Sequence, residues 1–486
     1  EYLAWRSKRS LQEIDAQLFA ERMTLVWKER PVFQIVLILA PGEEPLLADT
    51  LDSLGAQFYA DWRLTVVADF PAPDAVFHEL AQLRWIEART TAERGAAVNA
   101  LIAGADTRWL LLAPPGAALE PHALIRCGDY VNLHPEWRLI YCDDDRVNAT
   151  GEFAEPRFKP DFNLDFLRST DYIGPCLFRA DALGETGGYS ILERAETYDM
   201  ALRVLDRYGE QAIGHVADVL LHLPSSWDAI GNEENAREAV NQHLVRQGIQ
   251  GRVDEGYVPG THRVVYERVG NPLVSIIIPN RDKLEFLEPC VESVLEKTSY
   301  ADYEILIVDN QSTDPDVLDY YEELRQRFPG RLRVLSFDAE FNFAAMNNLA
   351  AREAKGEYLL LLNNDTQIVQ GEWLERLLSY GQRPDVGIVG ARLVYPESGK
   401  LQHAGVVLGM SCIADHPFNG VLSITDPGYM HRAQVDQNYS AVTAACLLIR
   451  KSLYEEIGGM DAEHLKVLFN DIDLCLRAGD LGYKIV

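Results

Sequence analysis

The sequence predicts an α/β protein in which parallel sheets are covered by helices. Short apolar runs rich in branched residues alternate with stretches of helical spacing, as in strands joined by crossover helices. The same order of strand, helix and strand occurs twice along the 486 residues, so we expect two related domains. The length agrees with this, because a chain of this size exceeds one ordinary domain.

Composition restricts the class of protein. The chain is 47% hydrophobic and 24% charged, which is typical of a globular protein, and no apolar run reaches the roughly 18–20 residues that a membrane-spanning helix needs. The net charge of −29 argues against a nucleic-acid partner, because phosphate binding requires clustered Lys and Arg. We therefore expect a cytoplasmic protein that does not bind nucleic acid.

The cysteines and the chain ends give two smaller expectations. Seven cysteines are scattered along the chain without a CxxC spacing, which predicts buried free thiols in a reducing compartment. The chain begins with Glu1 rather than Met and stops abruptly at Val486. We therefore expect a piece of a longer protein.

The first half of the chain follows a helical lead-in. Residues 1–30 carry Leu, Ala, Glu and Arg at helical spacing, and Pro31 should end that segment. The first domain is predicted to span residues 31–265. Its strand, helix and loop segments fall at 33–41, 45–54, 63–69, 95–102, 109–116 and 196–203.

The second half, predicted to span residues 271–486, repeats this order. Gly270 and Pro272 break the pattern between the halves and mark the junction. The corresponding segments fall at 273–279, 285–295, 304–310, 343–350, 358–365 and 470–477.

Two predicted strands of the second half end in polar side chains. The run LLLL is followed by Asn363, Asn364 and Asp365, and the run EILIV is followed by Asp309 and Asn310. Ligands of open α/β sheets bind at the carboxyl ends of the strands, so these residues should surround one crevice. The alternative is that they only form turns, which Asn and Asp favour. Their matching places in a repeated unit favour the crevice.

Six segments of the second half carry a resemblance to a known family. They are VSIIIPN at 274–280, CVESVL at 290–295, ILIVDNQSTD at 305–314, NFAAMNNLAA at 342–351, LLLLNNDT at 359–366 and NDIDLCLRAGDLGYKI at 470–485. In this order they make the second half similar to a family 2 glycosyltransferase of the GT-A fold, a Rossmann-like domain with a mostly parallel sheet. The chain then resembles two tandem GT-A domains. Among such enzymes it looks most like those that add sugars, often rhamnose, to bacterial surface polysaccharides or flagellin.

The resemblance implies a donor site for a nucleotide-diphosphate sugar. Asp309 would accept a hydrogen bond from the nucleotide base, and Asn280 would lie close by. The residues Asn363, Asn364 and Asp365 would be this chain's form of the metal-binding DxD motif. Asp365 would then bind Mg²⁺ or Mn²⁺, while Asn363 stands where the family usually has a first carboxylate. Hard oxygen ligands suit both ions.

The resemblance also implies an inverting reaction with one general base. We assign the base to Asp471, which would take the proton from the acceptor hydroxyl, and expect Asp473 to support the site or cap a helix. Capping alone is the alternative for both aspartates. Asn347 and Asn348 would face the sugar or diphosphate, with the capping of a helix turn as the alternative.

Many relatives carry a further metal-binding His soon after a segment like GYKIV, where this chain ends. Three histidines of the second half are the candidates to replace it: His403, His416 and His464. His403 and His416 lie in a stretch that more often shapes the acceptor side in such enzymes. For each of them a structural role is the simpler interpretation.

The first half lacks the corresponding polar residues. Residues 114–116, Pro-Pro-Gly, stand at the position of the NND motif, and Ala68 stands for Asp309, with Asp69 one place later. Thr197 stands for Asp471, although Asp199 matches Asp473. Proline cannot ligate a cation and threonine is a weak base, so we predict a degenerate GT-A-like domain.

One stretch of the first half argues against this degeneration. Residues 143–145 are three adjacent aspartates, and His222 lies where relatives have their metal-binding His. The aspartates could bind a cation. A solvated acidic turn after the strand at 137–142 is the interpretation we favour.

The leading hypothesis is thus a metal-dependent glycosyltransferase with one working site. Its partners would be a nucleotide-diphosphate sugar, with dTDP-rhamnose suggested by resemblance, and a glycan acceptor such as O-antigen or a protein acceptor such as flagellin. Acceptors of this kind would bring it to the inner face of the membrane. Alternatives are a transferase that uses both halves and an idle glycan-binding module. A nucleotidyltransferase lacks support, since neither dinucleotide nor P-loop fingerprints occur.

Overall fold

The computed structural model describes residues 1–9, 11, 13–104, 108–148, 150–227 and 231–486. This part of the chain divides into two compact units. The first unit comprises Glu1–Ile249 and Val253–Arg263, and the second comprises Gln250–Arg252 and Val264–Val486. The paired strands β10 (Gly251–Glu255) and β11 (His262–Tyr266) contain the boundary between the two units.

The first unit is built on one large sheet. In the described residues its strands are β1 (Phe33–Leu39), β2 (Trp62–Ala68), β3 (Leu83–Glu87), β4 (Trp109–Ala113), β5 (Ala118–Leu119), β6 (Leu139–Val147), β7 (Phe153–Arg157), β8 (Leu177–Arg179) and β9 (Ile213–Pro224). They run in the order β3-β2-β1-β4-β8-β6-β9-β5, and β7 pairs with β6 beside this path. Its helices are α1 (Tyr2–Ser7), α2 (Glu13–Leu25), α3 (Leu47–Gly55), α4 (Val76–Glu79), α5 (Thr91–Ile102), α6 (Ala123–Leu133), α7 (Leu164–Ser169), α8 (Ala180–Glu185), α9 (Glu196–Tyr208) and α10 (Glu233–Arg246).

The second unit contains a sheet of seven strands and two short ribbons. In chain order its strands are β12 (Val274–Asn280), β13 (Tyr303–Asp309), β14 (Leu332–Ser336), β15 (Tyr358–Leu362), β16 (Val386–Gly390), β17 (Leu393–Val394), β18 (Leu401–His403), β19 (Val407–Leu408), β20 (Ala414–Asp415), β21 (Cys446–Arg450) and β22 (Lys484–Ile485). The large sheet has the order β14-β13-β12-β15-β21-β16-β22, and the ribbons pair β17 with β18 and β19 with β20. The helices are α11 (Leu284–Lys297), α12 (Pro315–Arg327), α13 (Phe343–Glu353), α14 (Trp373–Gly381), α15 (Lys451–Glu456) and α16 (Asn470–Asp480).

Seven strands of each sheet follow the same plan. Reading β3-β2-β1-β4-β8-β6-β9 against β14-β13-β12-β15-β21-β16-β22, every neighbouring pair has the same direction. The three pairs among the first four strands are parallel, the next two are antiparallel and the last is parallel. The predicted α/β class with mostly parallel strands is therefore confirmed for this shared plan, while β5 and β7 add antiparallel pairs to the first sheet.

The run of four leucines forms the middle of the second sheet. β15 lies between β12 and β21, and Leu359, Leu360, Leu361 and Leu362 are each at most 1% exposed. Burial of a leucine side chain stabilises the fold by about 1.5–3 kcal/mol relative to exposure, so these residues belong to the core. The strand ends at Leu362, directly before the polar residues.

The acidic triplet of the first unit is buried, and the predicted solvated turn is wrong. β6 continues through Asp143, Asp144 and Asp145, which are 5%, 0% and 0% exposed. Asp144 is paired with Arg157 at 2.6 Å and with Lys159 at 2.8 Å. Burial opposes the charge of Asp144, but these two cations outweigh it and lower its pKa. Paired charges of this kind can remain inside a protein.

The other two aspartates of the triplet, Asp143 and Asp145, are each in contact with a histidine. His215 Nε2 lies 3.0 Å from Asp143, and His222 Nδ1 lies 2.5 Å from Asp145. His222 Nε2 also contacts Glu120 at 3.1 Å, so its ring lies between two carboxylates. The sequence pattern could not show this, because these partners come from distant parts of the chain.

Two further expectations concern helices and thiols. Among the described helices, none has both the length and the apolar character that crossing a lipid bilayer requires. All seven cysteines are free, and six of them are buried. The exception is Cys412, which is exposed.

Candidate active site

The ends of three neighbouring strands form one edge of the second sheet. β12 lies between β13 and β15 and runs parallel to both. Asn280, the last residue of β12, is directly opposite Asp309, the last residue of β13. Because parallel strands end at the same edge, the residues that follow β15 lie at this edge as well. The sheet thus brings together the polar strand ends that the sequence singled out.

A chain of hydrogen bonds connects these strand ends. Asn364 Nδ2 donates to Asn280 Oδ1 at 2.7 Å, and Asn280 Nδ2 donates to the Tyr321 hydroxyl at 2.9 Å. The Tyr321 hydroxyl in turn donates to Asp309 Oδ1 at 3.0 Å. Burial raises the pKa of Tyr321, so the hydroxyl keeps its proton. The four residues therefore form one continuous polar network, which we call the strand-end network.

Tyr321 was not among the predicted site residues. It lies on α12, twelve positions after Asp309, and it is 3% exposed. A tyrosine at a buried helix position is usually interpreted as core, and nothing in the local sequence distinguishes it. Only the docking of α12 against the sheet brings its hydroxyl to the strand ends.

The loops beside the network contain backbone conformations that are rare for side-chain-bearing residues. Asp282, Lys283 and Gln311 have φ angles of 50°, 62° and 59°. Asp282 accepts hydrogen bonds from the backbone N–H groups of Thr313 and Asp314 at 2.7 and 3.0 Å, and these bonds lower its pKa. Strained residues held by such bonds cluster at functional sites.

The first residue of the NND motif is hydrogen-bonded to the residue that precedes β21. Asn363 N donates to Ala445 O at 3.1 Å, and Thr366 N donates to Asn363 O at 3.2 Å. Asn363 and Asn364 are half-buried, whereas Asp365 is exposed. The turn therefore presents its single carboxylate to solvent.

Asp471 is held close to the same place. It lies in the first turn of α16 and is half-buried. Its Oδ2 accepts a hydrogen bond from Ala444 N at 3.1 Å, and its Oδ1 accepts one from Ile472 N at 2.9 Å. Ala444 immediately precedes Ala445, whose carbonyl binds Asn363. One dipeptide thus contacts both the NND motif and the candidate base.

Helix capping alone does not account for the contacts of the two aspartates, because Asp471 binds Ala444 N outside the helix as well as Ile472 N within it. The residue before α16 is Phe469, with φ 63° and no side-chain capping bond. Asp473 binds Arg477 one turn later, with its Oδ2 at 2.9 Å from Nε and 2.6 Å from a terminal guanidinium nitrogen. Asp473 is therefore part of an ion pair along the helix, and Asp471 alone reaches across to another element.

The two asparagines of α13 have different environments. Asn348 binds both α15 and the segment after it, since its Oδ1 accepts from the Tyr454 hydroxyl at 2.6 Å and from Met460 N at 2.9 Å. Asn347 is fully buried, and its Nδ2 donates to Phe343 O at 2.9 Å. Within the described residues its buried Oδ1 has no hydrogen-bond partner. Contact of Asn347 with the sugar stays a prediction.

The candidate histidines lie in different surroundings. His403 is 2% exposed and its Nδ1 lies 2.8 Å from His416 Nδ1. Burial, and then the neighbouring His416, lower the pKa of His403 to about 3. His464 is exposed and contacts Asp461 at 3.1 Å. In the part of the chain that the structure describes, no three His, Cys, Asp or Glu residues are grouped to hold a metal ion.

The first unit has the same strand plan, but its counterpart positions to the NND motif and to Asp471 carry no carboxylate. Residues 114–116 follow β4 where NND follows β15. Thr197 lies in the first turn of α9, as Asp471 does in α16. Asp199 binds Arg203 at 3.0 Å, and this ion pair is the counterpart of Asp473 and Arg477.

Comparisons with known proteins give a family for the second unit. Residues 275–458 match the family model described as Glycosyl transferase family 2. This range contains the strand-end network and the NND motif, and it ends before Asp471.

Two curated relatives align with nearly the whole chain. An uncharacterized protein of Sinorhizobium fredii, y4gI, is 35% identical over 474 residues, which cover 94% of this chain and 52% of the relative. The O-antigen biosynthesis protein RfbC of Myxococcus xanthus is 34% identical over 507 residues, which cover 100% of this chain and 39% of the relative. The chain thus spans about half the length of the first relative and less of the second.

Among solved structures, the chain is similar to a mannosyltransferase, PcManGT, from Pyrobaculum calidifontis, in complex with GDP-Man and Mn²⁺. The identity is 17% and the TM-score is 0.34, with 45% of this chain and 55% of that chain covered.

Proposed function

The chain belongs to glycosyl transferase family 2 through residues 275–458, and on this basis we propose that its second unit is an inverting, metal-dependent glycosyltransferase. The observation that carries this proposal is the meeting of three elements at one sheet edge. The strand-end network, the NND motif and the carboxylate of Asp471 are joined there through Ala444 and Ala445.

The nucleotide of the donor would bind at the strand-end network. Asp309 is half-buried, and its Oδ2 accepts a long hydrogen bond from Ser312 N at 3.4 Å. Its Oδ1 is fixed by Tyr321. A carboxylate oriented in this way can accept a hydrogen bond from a base N–H, which is the role that the family resemblance gives it.

The donor set suits a hard cation bound together with a diphosphate. Mg²⁺ is usually held by one or two carboxylates plus substrate phosphates, and the exposed Asp365 with the amide oxygen of Asn363 offers such a set. Asp365 would hold the ion, and Asn363 would add a neutral oxygen. When bound, the ion would neutralise charge on the leaving diphosphate.

Asp471 would act as the general base. As the acceptor oxygen forms its bond to the anomeric carbon, the nucleoside diphosphate leaves from the opposite face, and the hydroxyl proton passes to Asp471. Each of its two carboxylate oxygens accepts a hydrogen bond from a backbone N–H group, so the orientation of the carboxylate is fixed.

The first unit would not perform this reaction. Its frame carries Pro-Pro-Gly at the strand end and Thr197 in place of the base. The aspartates of β6 are buried and paired with cations, so they are unlike an open cation site. We propose that this unit is a degenerate relative of the second.

We extend the proposal to a donor and an acceptor. The RfbC relative is named for O-antigen biosynthesis, which favours a bacterial surface glycan as acceptor over flagellin. A deoxysugar nucleotide such as dTDP-rhamnose is the donor we propose to test first. A thermal-shift panel of nucleotide sugars, with and without Mn²⁺, would identify it, because only a ligand of the folded site raises the melting temperature.

The sharpest test replaces the proposed base. Asp471→Asn keeps the size of the side chain and removes its basicity, so kcat should fall by about a hundredfold or more. The donor dissociation constant should stay within about twofold of the wild-type value, because the base acts mainly in the transition state.

The matched control is Asp480→Asn, at an exposed position of the same helix, which should leave kcat unchanged. Undiminished transfer by Asp471→Asn would overturn the proposed mechanism. If instead the wild-type chain bound glycans but transferred no sugar, it would be a binding module.

A further inference from the structure

The segment before β21 is a junction between three parts of the second unit. Ala444 N binds Asp471 Oδ2, and Ala445 O accepts from Asn363 N. The residue before these two, Thr443, donates from its backbone N to Nε2 of His403 at 3.5 Å. We call residues 443–445 the junction segment. Each of its three residues thus contacts a different part of the second unit through its backbone.

The contacts of His403 determine which of its nitrogens carries the proton. Nε2 accepts from Gly405 N at 3.3 Å as well as from Thr443 N, so it has no hydrogen. Burial, and the neighbouring His416, lower the pKa of His403 to about 3, so the ring is neutral near pH 7. The proton is therefore on Nδ1, and Nδ1 donates to His416 Nδ1 at 2.8 Å.

This arrangement makes His403 part of the support of the junction segment. The ring is 2% exposed, and water cannot readily replace it as an acceptor at a buried site. Loss of the acceptor would leave the backbone N–H groups of Gly405 and Thr443 without this partner, which is unfavourable where water has little access. The segment would then move, and Ala444 N would move with it.

We propose that His403 is a positioning residue for the transfer reaction. Its Nε2 fixes the junction segment, and the junction segment fixes the carboxylate of Asp471 through Ala444 N. His416 completes the arrangement. Its Nδ1 accepts a hydrogen bond from the Nδ1–H group of His403 and so selects the tautomer of His403 whose Nε2 has no hydrogen and can accept. This inference rests on the proposed function, in which Asp471 is the base.

Two substitutions separate positioning from general stability. His403→Gln can place a side-chain oxygen near the position of Nε2, whereas His403→Leu fills the space without an acceptor. With saturating donor and acceptor, the single-turnover rate of His403→Leu should fall by about tenfold or more, while His403→Gln should stay within about threefold of wild type. The donor dissociation constant should change by less than about twofold in both.

The matched control is His78→Leu, at an exposed position of the first unit, which should not alter the rate. An unchanged rate in His403→Leu would overturn the inference. So would an equal loss in His403→Gln and His403→Leu, because that would indicate a role in packing alone. These results differ from a failure of the proposed function, in which wild type itself would show no transfer.

A measurement on the wild-type chain tests the tautomer directly. Nitrogen-15 NMR of histidine-labelled protein should show a protonated Nδ1 and an unprotonated Nε2 for His403, assigned by its absence in His403→Gln. The ring should remain neutral from pH 5 to 8, in accord with a pKa of about 3. The opposite tautomer would overturn the proposed support of the junction segment.

Discussion

At the scale of single residues, the site depends on side chains that contact two partners at once. Asn280 receives a hydrogen bond from Asn364 and donates one to Tyr321, and the Tyr321 hydroxyl both receives and donates. Buried polar groups of this kind are costly when a partner is lost. Removal of one hydroxyl should therefore affect both the NND side and the Asp309 side of the site.

The change Tyr321→Phe tests this dependence. It leaves Asn280 Nδ2 with one partner fewer and releases Asp309 Oδ1, so the free energy of unfolding should fall by about 1–3 kcal/mol. The dissociation constant of the nucleoside diphosphate should rise as well, because Asp309 is no longer oriented. Urea denaturation and calorimetric titration would measure the two effects.

The control for this prediction is Tyr320→Phe on the same helix. Its hydroxyl donates to Glu292 at 3.1 Å, away from the strand ends. It should lower stability slightly and leave nucleotide affinity unchanged. Equal affinity losses in both variants would contradict a special role for Tyr321.

Site residues at the ends of strands could be predicted from the sequence, whereas those placed by tertiary contacts could not. Asn280, Asp309 and the NND motif follow apolar strands, and strand direction alone brings such positions to one edge. Tyr321 reaches the strand ends only through the docking of a helix. The sequence offered His403 only as a candidate histidine, and the supporting role proposed for it depends on the folding of a long insertion. Their chemistry depends on contacts between residues far apart in sequence, which no local pattern encodes.

At the scale of secondary-structure elements, Asn348 connects α13 to α15 and to the segment that follows α15. Its side chain binds the Tyr454 hydroxyl and both backbone groups of Met460. The sequence suggested that this residue faces the sugar or caps a helix turn. The contacts show that it joins two elements of the fold.

Asn348→Ala should therefore destabilise the second unit. Three polar groups would lose their partner, so the free energy of unfolding should fall by about 1–3 kcal/mol. Glu353→Ala, at an exposed position of the same helix, should change it by less than about 0.5 kcal/mol. A chemical-denaturation series on both variants would check this, and similar midpoints would rule out the connecting role.

The elements themselves were predicted well where the pattern was strong. The strands that became β1, β2, β12, β13 and β15 were recognisable as apolar runs, and their parallel pairing followed from the crossover helices. The position of β21 between β15 and β16 was not predictable, because it is antiparallel and returns after a long insertion. That insertion contains five non-glycine residues with positive φ, Ser411, Cys412, Phe418, Met430 and His431, and local propensity does not favour them.

At the scale of the whole molecule, the two units keep the same strand plan with different interiors. The second unit has a polar network at its strand ends, whereas the first unit buries the charges of β6. His222 lies between Asp145 and Glu120, and α1 adds Tyr2 and Arg6 to this cluster, as Tyr2 donates to Asp145 and Arg6 pairs with Glu120. The first unit should thus respond to pH through these groups.

The direction of that response follows from the pKa shifts. Burial opposes the charge of His222, but hydrogen bonds to Asp145 and Glu120 outweigh it and raise its pKa. The resulting stability is complete below the ordinary value of about 6.5 and is lost as pH rises through the raised value. Burial also opposes the charge of Glu120, but His222 outweighs it and lowers that pKa. That contribution is lost as pH falls through the lowered value.

The cluster around His222 should therefore stabilise the first unit most below about pH 6.5, and this contribution should be lost as pH rises. Seven of the eight tryptophans, all except Trp373, belong to the first unit, so tryptophan fluorescence follows its unfolding. The melting temperature from fluorescence should decline as pH rises above about 6.5. His222→Gln should flatten that decline, and an identical pH profile in this variant would contradict the assignment to His222.

The strand-end network has one more consequence, which concerns cooperativity. It joins the residue proposed to bind the nucleotide base to the turn proposed to bind the cation, through three successive hydrogen bonds. A nucleotide that orders Asp309 then also orders Asn364 beside Asp365, so the two ligands are expected to be heterotropically coupled. Thermodynamic coupling is reciprocal: if the nucleotide tightens cation binding by a given factor, the cation tightens nucleotide binding by the same factor. Titrations of either ligand in the presence and absence of the other should therefore give the same coupling factor. Tyr321→Phe should bring that factor closer to one.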